Sequence, residues 1–266
     1  MSKKKIIIAS SSVILGITLI GIYYWFFSVP WISNNKFIQF QGYVANDINT
    51  TYPLSLPFIA NRIVKNEINI EDIVDVKLKD SKLLKVKEFH LSYGEKRKNY
   101  QFKTLTLTIG FDKCGIEDIT NIEIILKNGE VINYPIGSLK FEIIDTKNEE
   151  ESYLKLNSHI AMNQNISFYE LDIVNQSTDL INITDIKVDI PELKIENMSY
   201  WIEPKDSFLK RYKIDKVNKE SSDFFIIKPL IKYRIDNKQK IFLPEGTTYG
   251  TMSIDEKMVL EILKKK

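Results

Sequence analysis

From Ile6 to Phe27 the chain carries no charge, and the next charged residue is Lys36. At helical rise these residues span roughly 33 Å, the thickness of a bilayer's hydrocarbon core. The stretch therefore predicts a transmembrane helix over 6–27. Lys3, Lys4 and Lys5 precede it, and Tyr23, Tyr24 and Trp25 lie near its other end. Lysines favour the cytoplasmic side, and amphipathic rings favour the membrane–water interface. Together they predict a basic cytoplasmic tail over 1–5, a single-pass anchor in the bilayer, and everything downstream outside the cytoplasm. A cleaved leader has a shorter apolar region followed by small residues; here the run ends in Tyr-Tyr-Trp-Phe-Phe. A lipid-linked anchor is excluded, because the one cysteine, Cys114, lies far downstream.

Past the anchor the texture becomes that of strands. Residues 28–70 read as an irregular juxtamembrane segment, with a short helix from Ser55 towards Lys65 that places Pro57 in its first turn. From Ile73 apolar and polar residues alternate. The clearest case is Phe102 to Ile109, where Leu105, Leu107 and Ile109 share one face and Thr104, Thr106 and Thr108 the other. Leu84 to Leu91 alternates too, with a one-residue step between Val86 and Phe89. Asn128-Gly129 between two β-rich runs is a hairpin signal, and Asp236-Asn237-Lys238 marks a second turn. Further strands are predicted over 131–134, 139–144, 166–174, 180–190, 208–214, 224–235 and 239–243.

Strands with turns every 8–12 residues, and no interleaved helices, predict one or two β-sandwiches of the immunoglobulin-like or fibronectin-like class. The polar run Asp145 to Ser152, with Glu149, Glu150 and Glu151, sets the expected boundaries: a first sandwich over 71–147, a linker over 148–152 and a second sandwich over 153–252. Ser253 and Glu256 have the spacing of a capping box. The apolar pattern that follows predicts a short helix within 253–266, packed on the second sandwich.

Chemistry-bearing motifs are scarce. His90 and His159 are the only histidines, and no His-Glu-x-x-His, paired-cysteine, Gly-x-Ser-x-Gly or phosphate-loop spacing occurs. No metal site, catalytic residue or cofactor is expected. Cys114 beside Lys113 has no histidine near it in sequence. The three tail lysines account for the formal net charge of +2, so the outer part is near neutral and lacks the basic face that nucleic acid requires. Two surface features remain as candidate binding residues. Lys96, Arg97 and Lys98 form a basic hairpin tip, and Tyr200 and Trp201 lie in proline-flanked, loop-like surroundings. Exposed aromatics on a rigid scaffold mark contact sites. The expectation is a membrane-anchored extracytoplasmic β-protein that binds another protein or an envelope component without catalysis. The alternatives are a hydrolase with a carboxylate-based site and a small-ligand sensor with an apolar cavity.

Overall fold

A computed structural model describes residues 35–61, 68–97, 100–146, 152–158, 162–163, 167–195, 199–215, 224–250, 259 and 262. The anchor residues Lys3, Lys4, Lys5, Tyr23, Tyr24 and Trp25, and the polar linker 148–151, lie outside them. No helix among the described residues is long and apolar enough to cross a membrane.

The described chain is mostly β. In order its strands are β1 (Lys36–Phe37), β2 (Phe40–Asp47), β3 (Thr51–Asn61), β4 (Ile73–Leu78), β5 (Leu84–Lys96), β6 (Tyr100–Phe111), β7 (Gly115–Leu126), β8 (Val131–Ile144), β9 (Leu154–Leu156), β10 (Met162–Asn163), β11 (Phe168–Asn175), β12 (Ile181–Lys187), β13 (Tyr200–Ile202), β14 (Ser207–Lys213), β15 (Phe225–Lys228), β16 (Leu230–Ile235), β17 (Lys238–Phe242) and β18 (Thr247–Tyr249). They form an outer sheet ordered β1-β3-β6-β5, a central sheet ordered β10-β18-β15-β2-β8-β7-β4, a three-stranded sheet β14-β11-β9 and a distal sheet β13-β12-β16-β17.

The central sheet takes strands from each of the stretches that the sequence pattern kept apart. Strand β2 comes from 28–70, β4, β7 and β8 from 71–147, and β10, β15 and β18 from 153–252. Strand β2 pairs in parallel with both β8 and β15. Its two faces belong to two cores. Phe40 and Val44, with Ile226 of β15, join the outer sheet and β4, β7 and β8 in one apolar cluster. Tyr43 and Ala45, with Phe225 and Ile227, join the three-stranded and distal sheets in the other. A strand covered on both faces needs no polar–apolar alternation, so the period-two rule passed over β2.

Residues 51–61, expected in part as a helix, are strand β3. Leu54, Leu56, Phe58 and Ala60 recur at period two and are all buried, and that alternation outweighs a proline placed for a helical first turn. Pro53 and Pro57 are tolerated because β3 is nearly an edge. Its second neighbour, β1, pairs only with Phe58 and Ile59, and the Pro57 carbonyl accepts Ile38 N–H on that side at 2.9 Å. The predicted run 224–235 divides at Pro229 into β15 of the central sheet and β16 of the distal sheet. A residue without a donor there lets the chain change sheets.

Three local readings match the structure. The step in β5 is a bulge at Lys87: Val86 lies opposite Ile109 and Glu88 opposite Thr108. The β7–β8 turn closes with Leu126 N–H to the Glu130 carbonyl at 2.9 Å, with Gly129 at φ +84°. Asp236 and Asn237 both have positive φ between Ile235 and Lys238, the two-residue turn that suits strand twist. In the tail Val259 and Ile262 are helical. Val259 is buried against Ile59 of β3 and Tyr100 of β6, so it packs on the outer sheet and not on the second half. The capping pair Ser253 and Glu256 lies outside the described residues.

Candidate binding face

Strand β13, expected as loop, is a short edge of the distal sheet. Pairing with β12 sets Ile181 opposite Ile202, Asn182 opposite Trp201 and Ile183 opposite Tyr200. Ile202 turns inward and is buried. Tyr200 also turns inward, with its ring 4.7 Å from that of Phe208 and Lys210 Nζ 5.5 Å from its centroid. Pleat geometry then forces Trp201 outward, where it is 64% exposed.

The same rule carries across the sheet. Asn182 lies opposite Arg234, and Arg234 opposite Gln239. Trp201, Asn182, Arg234 and Gln239 therefore form one row on the solvent face, one residue from each strand, roughly 14 Å long at the usual strand spacing. Ser199 Oγ donates to Asn182 Oδ1 at 2.5 Å and ties the start of β13 to the row. The next row holds Lys232 beside Asp185 at 3.4 Å. An aromatic plane, a carboxamide, a guanidinium and a second carboxamide on a paired sheet make a nearly flat face. These groups offer an aromatic plane for stacking and side-chain hydrogen-bond donors on one face.

The other predicted binding residues lie elsewhere. Lys96 ends β5 of the outer sheet and Arg97 follows it, at the β5–β6 hairpin; Lys98 lies outside the described residues. Arg97 grips Glu95 with two nitrogens, at 2.8 Å and 3.1 Å. This offsets the basic charge of the tip. The structure does not bring this tip and Trp201 into one site. Cys114 is exposed in the turn between β6 and β7, and His90 is exposed on β5 opposite Thr106.

Three carboxylates line a crevice of ≈ 30 Å³ beside the three-stranded sheet: Glu170, Asp172 and Glu245. Arg211 Nε holds Glu170 Oε2 at 2.6 Å, and Asn157 and Ser158 donate to Asp172 at 3.1 Å. The walls include Tyr169 and Tyr249. Burial drives both phenols upward, that of Tyr249 to about 12, so both stay neutral hydrogen-bonding groups at ordinary pH. Among the described residues no group of three or more His, Cys, Asp or Glu side chains could hold a metal ion.

Sequence reasoning missed one polar cluster altogether. Lys228 lies in the apolar run Phe224 to Ile231, yet its Nζ is buried and donates to Asn46 Oδ1 at 2.6 Å and to the Ala45 carbonyl at 2.7 Å. The only sequence signal was a lysine interrupting an otherwise apolar strand.

No family model and no curated protein matches the chain. Solved structures share its outline faintly. One is a protein of unknown function from Porphyromonas gingivalis W83, at 12% identity and TM-score 0.25, covering 82% of this chain and 96% of that one. Another is the D00-D0 domain of intimin, at 6% identity and TM-score 0.24, covering 81% and 98%. A third comprises the fibronectin(III)-like modules of Clostridium thermocellum CbhA, at 8% identity and TM-score 0.21, covering 82% and 93%. Likeness at this level carries no functional inference.

Proposed function

We propose that the chain is a non-enzymatic binding protein, held in a membrane by residues 6–27, whose distal-sheet face docks another protein or an envelope polymer. The observation that carries this reading is the 64% exposure of Trp201 on a paired strand. A large aromatic on a rigid, flat sheet exposes apolar area at little entropic cost and is a strong anchor for a partner. Asn182, Arg234 and Gln239 in the same row supply orienting hydrogen bonds. The crevice at Glu170 and Asp172 supports the hydrolase alternative less well, because both carboxylates already have donors.

The test uses whole cells with a photo-crosslinking amino acid at position 239. A discrete adduct in the wild type that disappears in Trp201→Ala, with the protein still present at normal level, supports the reading. An adduct of equal yield in both sinks it. External protease added to the same cells checks the anchor: cleavage beyond Trp31 is expected, and full protection of the β-region refutes the orientation.

A further inference from the structure

At the end of β2, where it meets β15, three polar side chains are buried: Asn46, 3% exposed, Asp47, 8%, and Lys228, 9%. Lys228 ends β15, where it lies opposite Val44 of the parallel strand β2. Ile226 and Val44 face the first core, so by alternation Lys228 and Asn46 share that face. The ammonium nitrogen of Lys228 is 2.6 Å from Asn46 Oδ1, one bond from the carboxamide carbon. On the other side of that carbon, Asn46 Nδ2 donates to Thr50 Oγ1 at 2.6 Å, and Thr50 Oγ1 donates to the Asp47 carbonyl at 2.9 Å. An amine and a carboxamide from strands far apart in sequence thus lie in contact away from bulk water, with the Thr50 hydroxyl on the exposed side of the carboxamide.

We propose that Lys228 and Asn46 join in an intramolecular isopeptide bond, Nζ to Cγ, which ties β15 covalently to β2.

The chemistry balances without any other reactant. The Nζ lone pair attacks Cγ, the carbonyl electrons move to Oδ1, and collapse of that oxyanion expels Nδ2. One C–N bond forms and one breaks. The leaving nitrogen takes up the proton that the attacking nitrogen sheds, and ammonia departs; Thr50 Oγ1, which accepts from Nδ2, holds the carboxamide in place. Overall an ammonium and a carboxamide become a secondary amide and an ammonium ion. The fold contributes in two ways. Fixing the reacting groups in contact replaces a bimolecular encounter, worth effective molarities on the order of 10⁵ M or more, and exclusion of water protects the intermediate from hydrolysis. Burial also presses the Lys228 amine down to about 8, against the opposing pull of Asp47 and Glu245. An appreciable neutral, nucleophilic fraction therefore exists near neutral pH.

The experiment is intact-mass measurement of the full-length protein, followed by protease mapping. The expected result is a mass short by one ammonia, with a branched peptide containing Asn46 and Lys228. Lys228→Met and Asn46→Ala restore the full mass, and Thr50→Val slows or leaves incomplete the loss of ammonia. A wild-type mass equal to that of the unmodified chain overturns the proposal. So does an ammonia loss that maps to Asn128-Gly129, where succinimide formation gives the same mass. The wild-type measurement stands even if a variant fails to fold, and it is independent of what the distal face binds.

Discussion

Ile226 and Ile227 are neighbours on β15 with opposite duties. Ile226 is 2% exposed in the first core and Ile227 1% exposed in the second. Truncating either to alanine removes the same atoms and leaves a cavity, at a cost of about 2–5 kcal/mol. Because β15 pairs with β2, and both strands line both cores, the loss in one core is transmitted to the other. Hydrogen exchange in the regime that tracks the opening equilibrium reads this segment by segment. At that cost, exchange accelerates by roughly 30- to 4,000-fold. The expectation is that Ile226→Ala and Ile227→Ala each speed exchange in β6, which sees only the first core, and in β16, which sees only the second. If Ile227→Ala accelerated β12 and β16 while β3 and β6 kept wild-type rates, the two cores would be separately stable. The shared-strand account would then be refuted.

Three further outcomes follow from single sites. Tyr43 is fully buried and its hydroxyl donates to Glu142 Oε2 at 2.6 Å, with Lys187 Nζ on the same oxygen at 2.6 Å. Tyr43→Phe keeps the ring and loses a bond to a charged acceptor, about 1.5–3 kcal/mol, read as a lower urea midpoint at unchanged slope; an unchanged midpoint would contradict the assignment. Gly137 has φ +103°, and a Cβ there would come 1.9 Å from the Phe40 carbonyl oxygen. Gly137→Ala should therefore break the start of the β2–β8 pairing and lower the thermal midpoint, and a variant as stable as wild type would show this strand position to be tolerant. Burial raises the Asp47 carboxyl, but hydrogen bonds from Thr146 and Asn49 outweigh it and hold the group below its ordinary value. A depressed carboxyl stabilises above the unfolded pKa of about 4 and loses that contribution as pH falls through the folded value. Thr146→Val should narrow this gap and move acid unfolding to higher pH; an acid transition at the same pH would argue against it.

Where one face of a strand meets water, the sequence was legible. Thr104 to Ile109 in β6, the Lys87 step in β5, and the turns at Asn128-Gly129 and Asp236-Asn237 all follow from period two and positive-φ chemistry. The pattern failed where both faces are covered. In β2, the run Phe40-Gln-Gly-Tyr-Val-Ala-Asn-Asp47 hides its period because each side chain has a core or a buried polar partner. Pro57 misled for a related reason: a residue without a donor fits a strand edge as well as a helix start. Trp201 was recognised as a candidate, but only pairing with Asn182 decides that it points out. The meeting of Asn46 with Lys228 has no local signal, since 182 positions separate them.

That separation also bears on how the protein is made. During synthesis β2 emerges early, yet one of its two hydrogen-bonding edges stays vacant until residues beyond Phe224 leave the ribosome. Parallel pairings between distant segments form slowly, and an open strand edge invites the wrong partner. A nascent chain of this design must therefore be shielded until β15 has emerged. Truncation before β15 should yield aggregates in place of a smaller folded unit.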